Sequence, residues 1–251
     1  MIDIFEMAGR SILVAGGAGG IGSGIAVELA RRGANITIGD INLEAVERVR
    51  DSLSGDHHTS CHLDVTDEKS CALAVQKALA NGRRLDGMLN AAGILKVGPA
   101  IELREADFMA SMDVNVTGSF LLARQASKVM VEQGGGQIVT IASVSSQVAN
   151  PNYAAYSTSK AALSQLTRVL AVEWAKYQIT INAIGPAVIP TRLSDPLMST
   201  PEFHDYQMAR IPMGRMATIE DLLGTALLLL SKAGAFITGQ TIYVDGGRTL
   251  V

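Results

Sequence analysis

The chain has 251 residues, of which 48 % are hydrophobic and 18 % are charged, and its net charge is −3. This balance is typical of a compact globular protein and excludes an intrinsically disordered one. An acidic chain lacks the basic face that nucleic acids and anionic membranes require, so we expect neither as a partner. The two cysteines, Cys61 and Cys71, fit no disulfide framework and no metal-ligand spacing. With Asp3 and Glu6 near its start and no signal-peptide pattern, the chain is expected to be cytoplasmic.

Short apolar segments alternate with segments of helical periodicity along the whole chain. Strands are predicted at residues 11–15 and 35–39, in a third segment ending at Leu63, and at 85–90, 137–142, 179–184 and 241–244. Helices are predicted at residues 20–32, 43–53, 67–80 (capped by Thr66), 105 to about 131, 154–176 and 220–231. This order predicts an α/β protein with a doubly wound parallel sheet, a Rossmann fold of about seven strands with helices on both faces.

No linker or internal repeat divides the chain, which predicts a single domain over residues 1–251. Residues 191–218 interrupt the alternation, because they contain three prolines and show no periodicity. A long irregular insert of this kind is typical of a lid or a binding loop. Its apolar side chains predict a partly apolar lid and are Leu193, Leu197, Met198, Phe203 and Met208. Arg192, in the same insert, is a candidate contact for a carboxylate or another anion.

The glycine-rich stretch VAGGAGGIGSGIA at residues 14–26 lies between the first strand and the first helix. Glycines at that point let the backbone turn tightly and approach a pyrophosphate, which sits at the positive end of the helix. Two patterns fit the stretch. The narrow one, G-x-G-x-x-G, uses Gly17, Gly19 and Gly22, whereas a wider one uses Gly16, Gly20 and Gly22. Either pattern predicts a dinucleotide site, and Gly24 is expected to serve packing of the helix on the sheet.

The second strand is followed by Asp40, eighteen residues after Gly22. A dinucleotide-binding fold places an acidic residue there to accept hydrogen bonds from the adenosine ribose. A carboxylate at this point would repel the 2′-phosphate of NADP, and no basic residue lies in the glycine loop or directly after Asp40. NAD is therefore the favoured cofactor. The alternative, in which Asp40 is an ordinary turn residue, leaves the choice between NAD and NADP open.

Two later strands also end in candidate ligand contacts. Asp64 follows the third strand and is placed to hydrogen-bond near the adenine. The fourth strand ends in Asn90-Ala91-Ala92-Gly93, whose small side chains allow a ligand to approach closely. Because ligands of doubly wound sheets bind outside the carboxyl ends of the strands, we expect all these loops to face one crevice.

The segment from Ser143 to Lys160 carries the candidate chemistry. Tyr156 and Lys160 are four residues apart at the start of a helical pattern, so their side chains share one face. A free tyrosine has a pKa of about 10, too high for a base near neutral pH. A nearby ammonium stabilises the phenolate, and we expect it to lower the pKa of Tyr156. Ser143 ends the fifth strand, so its hydroxyl can point into the same crevice.

The ordered motifs identify a family resemblance that covers nearly the whole chain. They are Ala15-Gly16-x-x-x-Gly20-Ile21-Gly22, Asn90-Ala91-Ala92-Gly93, Asn115, Ser143, Tyr156-x-x-x-Lys160, Pro186-x-x-Ile189-x-Thr191, and Thr238-Gly239-Gln240 with Asp245-Gly246-Gly247. In these motifs the chain resembles the short-chain dehydrogenase/reductase family, in its branch of about 250 residues. The resemblance selects the wider of the two glycine patterns.

The resemblance implies a role for each matching residue. Tyr156 would exchange a proton with the substrate, Ser143 would hydrogen-bond the substrate oxygen, and Lys160 would tune Tyr156 and hold the nicotinamide ribose. Asn115 would hold a water that relays protons from Lys160 to solvent. The implied cofactor contacts are Gly16, Gly20, Ile21, Gly22, Asp40, Ile41, Asp64, Val65, Asn90, Ala91, Gly93, Tyr156, Lys160, Pro186, Ile189 and Thr191. The implied substrate contacts are Ser143, Ser145, Tyr153, Tyr156 and Arg192.

Further expectations concern metals, assembly and two departures from the family pattern. His57, His58 and His62 lie close together but are typical of a solvated loop, so we expect no metal site. The resemblance suggests a homotetramer built through the two long helices and the last strand. Ala15 stands where the family usually has threonine, and Ala187 where it usually has glycine. Both departures concern cofactor affinity rather than the type of reaction.

Three functions remain open at this point. The first is an NAD(H)-dependent oxidoreductase that interconverts a secondary alcohol and its ketone, and the lead-in at residues 4–10 together with Asp40 favours a polyol, sugar or sugar-acid substrate. The second is an NADPH-dependent 3-oxoacyl-carrier-protein reductase, which shares the catalytic motifs but is disfavoured by Asp40. The third is a non-catalytic NAD-binding scaffold, for which a complete set of Ser143, Asn115, Tyr156 and Lys160 would be unnecessary.

Overall fold

A computed structural model describes residues 3–82, 84–195 and 200–251. Its seven strands are β1 (Ser11–Ala15), β2 (Asn35–Asp40), β3 (Thr59–His62), β4 (Gly87–Asn90), β5 (Gly136–Ile141), β6 (Ile179–Pro186) and β7 (Thr241–Val244). They form one sheet in the order β3-β2-β1-β4-β5-β6-β7, and every neighbouring pair is parallel. The predicted doubly wound parallel sheet is therefore confirmed.

Eight helical segments surround the sheet within the described residues. They are α1 (Gly20–Arg31), α2 (Leu43–Asp51), α3 (Glu68–Gly82), α4 (Glu105–Met112), α5 (Ser119–Glu132), α6 (Ala154–Trp174), α7 (Pro201–Met208) and α8 (Ile219–Leu230). None of these helices combines the length and the hydropathy that crossing a bilayer would need, as far as the described residues go.

The two faces of the sheet bury separate apolar cores. Successive side chains of a strand point to opposite faces, and β1 shows this alternation directly. Ile12 and Val14 belong to the core that includes residues of α1 and α8. Leu13 and Ala15 belong to the core that includes residues of α3, α5 and α6. A strand buried on both faces has no polar side to alternate with, which is why β1 is a nearly continuous apolar run.

The order in which successive strands are added to the sheet reverses at β1, which pairs with β2 on one side and β4 on the other. Loops leaving the carboxyl ends of these two strands turn to opposite faces and leave a crevice between them. The glycine loop follows β1 and Ala91-Ala92-Gly93 follows β4. The topology therefore places the predicted ligand-binding segments at one edge of the sheet.

The helix predicted from 105 to about 131 is interrupted by a π-helical segment, Asp113–Gly118, between α4 and α5. Helical periodicity shows that a helix is present but cannot show such a widened turn, which depends on packing. Gly118 lies against Val65, and a Cβ at Gly118 would be 2.7 Å from Val65 Cγ2. Single π-helical turns are often found at functional sites, and this one contains Asn115.

Three local expectations were wrong. Helix α3 begins at Glu68, and the side chain of Asp67, not Thr66, accepts the hydrogen bond from Lys69 N at 2.9 Å. Thr66 instead donates to Asp64. Gly24 serves helix–helix packing, because a Cβ there would overlap Ile219 of α8.

The insert at 191–218 contains the helix α7. No helix was expected there, because the segment shows no helical periodicity. Proline fits the first turn of a helix, where no backbone donor is needed, and Pro201 occupies that position. The lid residues Leu197 and Met198 lie outside the described residues.

Candidate active site

The glycine loop requires residues without a side chain at two of its predicted positions. Gly16 has φ of +71°, and a Cβ there would overlap the main-chain nitrogen of Ala92. A Cβ at Gly22 would overlap the carbonyl oxygen of Gly16. The first turn of α1 is thus packed directly on the loop that precedes it. Gly17 also has no room for a Cβ, because Ile38 fills that space.

The N-terminus of α1 is open to an anion. Gly19 is its N-cap, no side chain caps it, and its first turn contains no acidic residue. The first backbone N–H groups of a helix have no partner within the helix, and the helix dipole favours negative charge there. Together with the glycine turn, this arrangement fits the pyrophosphate of a dinucleotide.

A first cleft of about 840 Å³ of empty volume continues from the glycine loop, and we call it the outer cleft. Its described lining residues are Gly16, Gly19, Asp40, Ile41, Leu63, Asp64, Val65, Thr66, Ala91, Ala92, Gly93, Ile94 and Val114. Asp40 accepts hydrogen bonds from Ala18 N and Asn42 N, each at 3.0 Å. Hydrogen bonds from Thr66 hold the pKa of Asp64 below its usual range. The outer cleft is therefore acidic, and its described lining contains no lysine or arginine.

A second cleft of about 860 Å³ of empty volume, the inner cleft, shares Ala91 and Gly93 with the first. Its described lining includes Ile21, Leu95, Ser143, Ser145, Asn150, Tyr153, Tyr156, Lys160, Pro186, Ala187, Val188, Ile189, Thr191, Leu193, Ser194, Phe203 and Gln207. Outer and inner cleft thus adjoin at Ala91 and Gly93, on the side of the sheet expected from the ends of the parallel strands.

Ser143 is held so that its hydroxyl proton remains available. Its Oγ accepts a hydrogen bond from Ser145 N at 3.1 Å, within a short 3-10 turn that follows β5. The hydroxyl of Ser143 also lies near that of Tyr156, and hydrogen bonding from it acts to lower the pKa of Tyr156. Because a backbone donor already uses an acceptor site on Ser143 Oγ, its proton can go to the phenol oxygen or to a substrate oxygen. This is the geometry that the predicted role of Ser143 requires.

Lys160 is only 4 % exposed, and its Nζ donates to the carbonyl oxygen of Ile141 at 2.7 Å. Burial lowers the pKa of Lys160 to about 8. Its Nζ lies 5.7 Å from the centroid of the Tyr156 ring. Gly93 lies next to it: a Cβ at Gly93 would be 3.4 Å from Lys160 Nζ, an ordinary contact distance, and 3.1 Å from Asn115 Oδ1.

The pKa of Tyr156 is raised, not lowered as we expected from the sequence. Burial disfavours the charged phenolate and is the largest cause, while the hydrogen bond from Ser143 acts in the opposite direction. Spacing along a helix places an ammonium near a phenol, but only the tertiary structure determines how dry their surroundings are. Tyr156 is therefore a protonated group at neutral pH in this structure.

Asn115 is fully buried and connects two elements of the site. Its Nδ2 donates to Ile94 O at 3.0 Å and to Ser159 Oγ at 2.9 Å, while its Oδ1 accepts from Ile94 N at 2.9 Å. Both amide protons are therefore used by the protein. The side chain fixes the loop after β4 against α6 next to Lys160, and the predicted water relay stays a prediction.

Five predicted ligand contacts are not among the described residues that line either cleft: Gly20, Gly22, Asn90, Asn115 and Arg192. Gly20 lies beside Thr191, because a Cβ at Gly20 would be 3.0 Å from Thr191 Cγ2. Asn90 is buried and braces the loop by donating to Ser119 Oγ at 2.9 Å and accepting from Ala92 N at 3.0 Å. Arg192 is exposed, and its contact with an anion stays a prediction.

Several polar residues of the inner cleft were missed at the sequence level. Asn150 donates to Ser145 Oγ at 3.4 Å and accepts from Arg248 Nη2 at 3.1 Å. Arg248 is only 4 % exposed and comes from the C-terminal segment, nearly a hundred residues away along the chain. Ser194 organises the loop after β6, where its Oγ donates to Ile189 O at 2.8 Å. No local sequence signal connects these partners.

The two departures from the family pattern are accommodated without backbone strain. Ala187 does not have a positive φ, since the non-glycine residues with one are Asn152 and Gln178 within the described chain. Ala15 is fully buried in the core.

His58 is more than a solvated residue, because its Nδ1 accepts from Ile36 N at 3.1 Å. No group of three potential metal ligands occurs among the described residues.

Comparisons with known proteins agree with this geometry. A family model described as enoyl-(acyl carrier protein) reductase matches residues 16–249. D-threitol dehydrogenase of Mycolicibacterium smegmatis is 36 % identical, over 98 % of this chain and 95 % of the relative. NAD-dependent glycerol dehydrogenase of Listeria innocua is 34 % identical, over 98 % of this chain and 96 % of the relative.

Among solved structures, a gluconate 5-dehydrogenase from Burkholderia cenocepacia, in complex with NADP and tartrate, has a TM-score of 0.93 and 34 % identity, and the match covers 99 % of this chain and 98 % of that one. The sequence matches cover nearly the full length of both partners, as the structural match does. The chain therefore belongs to the short-chain dehydrogenase/reductase family of nicotinamide-dependent oxidoreductases.

Proposed function

We propose that this protein is an NAD(H)-dependent dehydrogenase that oxidises a secondary hydroxyl of a polyol, sugar or sugar acid, or reduces the corresponding ketone. The observation that carries the proposal is the meeting of Ser143, Tyr156 and Lys160 in the inner cleft, which adjoins the outer cleft and, through it, the glycine loop. The relatives named for threitol, glycerol and gluconate support the substrate class.

The chain's own residues position and protonate the substrate in this proposal. Ser143 donates a hydrogen bond to the substrate oxygen, and Tyr156 gives it a proton during reduction or takes one during oxidation. Lys160 holds positive charge beside the phenol and binds the nicotinamide ribose. The glycine loop and the N-terminus of α1 bind the pyrophosphate. A bound nicotinamide cofactor supplies or accepts the hydride.

The preference for NAD rests on the acidic outer cleft. Asp40 and Asp64 line it, and its described lining offers no cation to a 2′-phosphate. A negatively charged phosphate next to a carboxylate is repelled, which disfavours NADP. The Listeria relative is named as NAD-dependent, whereas the Burkholderia structure contains NADP. The cofactor is therefore part of the test below.

A substrate panel tests both parts of the proposal. We expect the purified protein to form NADH from NAD⁺ with at least one polyol, sugar or sugar acid, and with NADP⁺ to be slower by about tenfold or more. An acetoacetyl thioester with NADPH serves as the competing substrate. Faster turnover of the thioester with NADPH than of any alcohol with NAD⁺ would favour the acyl-carrier-protein reductase instead.

Asp40→Asn is the matched variant for the cofactor choice. It removes the negative charge but keeps one oxygen to accept a backbone hydrogen bond, such as the one from Ala18 N. The ratio of NADH to NADPH affinity is expected to fall, measured by fluorescence titration. An unchanged ratio would show that Asp40 does not select the cofactor.

The raised pKa of Tyr156 gives a pH dependence with a defined sign. Below its pKa, the phenolate fraction grows about tenfold per pH unit, while Lys160 loses its charge above about pH 8. We expect kcat/KM for alcohol oxidation to rise from about pH 6 to pH 8 and then level off, with no such rise for ketone reduction. Ser143→Ala removes the hydrogen bond that lowers the pKa of Tyr156, so the phenolate fraction, and with it kcat/KM for oxidation, is expected to be lower throughout this pH range. A flat oxidation profile, measured in steady-state assays, would contradict this assignment.

We further propose a single domain in which residues 191–218 form the lid, and a homotetrameric assembly. Leu193 and Phe203 of the insert line the inner cleft, which supports the lid. Exposed apolar side chains on α4 and α6 support assembly, since Met109 is 47 % and Val172 is 82 % exposed. Apolar surface of this kind is typical of protein–protein contacts when it forms a patch.

A further inference from the structure

The lid helix α7 places one polar side chain in the inner cleft. Gln207 is only 8 % exposed and lines the cleft together with Phe203. The two residues are four apart, so they share one face of the helix. Tyr206, between them in the chain, instead stacks against Arg210, whose guanidinium carbon Cζ lies 3.7 Å from the centroid of the Tyr206 ring. Packing of α7 therefore fixes which face is turned toward the catalytic residues.

The side-chain amide of Gln207 makes no hydrogen bond with any residue that the structure describes. This amide is not one of the fully enclosed, unpaired groups of the described chain, and it lines the cleft, where a ligand can reach it. Asn150, the other amide in the same cleft, shows the usual arrangement: Arg248 and Ser145 bind both ends of its amide. An unpaired amide in a concave site thus points to a polar group that arrives from outside the protein.

The surroundings of Gln207 define the chemistry of that group. Apolar residues make up more than half of the described lining of the inner cleft, among them Leu95, Val188, Leu193 and Phe203. Lys160 is the cationic side chain in the described lining and is held by Ile141 O. A carboxylate would find no second cation there. An amide offers a donor and an acceptor together, which matches a hydroxyl group, itself both donor and acceptor.

We propose that Gln207 is a substrate-binding, specificity-determining residue that binds a second hydroxyl of the substrate, away from the reacting carbon. The inference rests on the proposed dehydrogenase function and adds the residue that distinguishes polyols from simple secondary alcohols. A substrate lacking that hydroxyl loses the hydrogen bond to the amide, and sites built to bind a hydroxyl discriminate strongly against such analogues.

The test compares two substrates that differ in their additional hydroxyls. The wild-type protein and Gln207→Leu are assayed with NAD⁺ and either meso-erythritol or butan-2-ol. Loss of one neutral hydrogen bond is expected to lower kcat/KM for erythritol about tenfold in Gln207→Leu, mainly through KM. The value for butan-2-ol is expected to change less than twofold. Gln207→Asn keeps the amide on a side chain one methylene shorter, and its kcat/KM for erythritol is expected to lie between those of the wild-type protein and Gln207→Leu. This variant decides the question if Gln207→Leu does not fold.

Glu202→Gln is the control, because Glu202 is exposed on the same helix and does not line the cleft. This variant is expected to have the wild-type kcat/KM for both substrates. Equal losses for both substrates in Gln207→Leu, or a wild-type protein that prefers butan-2-ol, would overturn the inference and leave the dehydrogenase function intact. Inactivity of the wild-type protein toward every alcohol of the panel would overturn the function itself.

Discussion

Replacement of Tyr156 by phenylalanine is expected to lower kcat by about a thousandfold and to leave cofactor affinity almost unchanged. The substitution removes the hydroxyl that exchanges a proton with the substrate, and general acid–base catalysis of this kind contributes about 10²–10⁴ in rate. The ring remains, so its edge-to-face contact with Tyr153, with centroids 6.0 Å apart, is kept. Stopped-flow or steady-state assays give kcat, and NADH fluorescence titration gives the affinity.

Tyr153→Phe is the matched control for that variant. Tyr153 lines the same cleft, and burial raises its pKa to about 12, so it cannot supply a phenolate near neutral pH. The control is expected to keep kcat within a few-fold of the wild-type value. If the two variants lost activity equally, or if Tyr156→Phe kept full turnover, the assignment of Tyr156 as the proton-exchanging group would be wrong.

Gly16→Ala is expected to abolish measurable cofactor binding and to destabilise the protein by about 3 kcal/mol. Alanine is strained at a φ of +71°, and its Cβ would overlap Ala92 N. Relief of the overlap must move the glycine loop away from the loop after β4, which widens the place where the pyrophosphate binds. Thermal unfolding without NADH measures the loss of stability. Repeating it with about 1 mM NADH measures cofactor binding, since a bound ligand raises the Tm.

Two further alanine variants separate the causes. Gly9 has φ of +72° but no atom within 4 Å of a built Cβ, so Gly9→Ala tests backbone strain alone. Gly98→Ala has neither the positive φ nor a close neighbour and is expected to behave as wild type. Normal NADH binding by Gly16→Ala would show that the loop does not contact the cofactor.

Much of the fold could be predicted because local patterns reflect it. The central strands β1, β4 and β6 are buried throughout, so they appear as largely apolar runs, and the helices between strands have an amphipathic period. β1 and α1, with the glycine loop between them, form a strand–turn–helix unit that is recognisable within about twenty residues. Likewise, Tyr156 and Lys160 are four apart on one helix, so their proximity is a local property.

Other features depend on contacts between distant segments and have no local signal. The π-helical turn that contains Asn115 arises where Gly118 packs on Val65. Arg248 reaches Asn150 from the C-terminal segment. The helix α7 was missed because it is short and its buried face is set by the cleft that it covers, not by a repeated apolar pattern of its own.

The sequence by itself determined the order of strands and helices, the glycine turn and the residues that meet at the carboxyl ends of the strands. The tertiary structure alone decided how those residues behave. Burial raised the pKa of Tyr156 and lowered that of Lys160, opposite to the effect expected for the tyrosine from its spacing. It also placed the side chain of Gln207, which has no hydrogen bond to any described residue, in the inner cleft. The physical reason is that spacing fixes which groups are neighbours, whereas desolvation depends on every element packed around them.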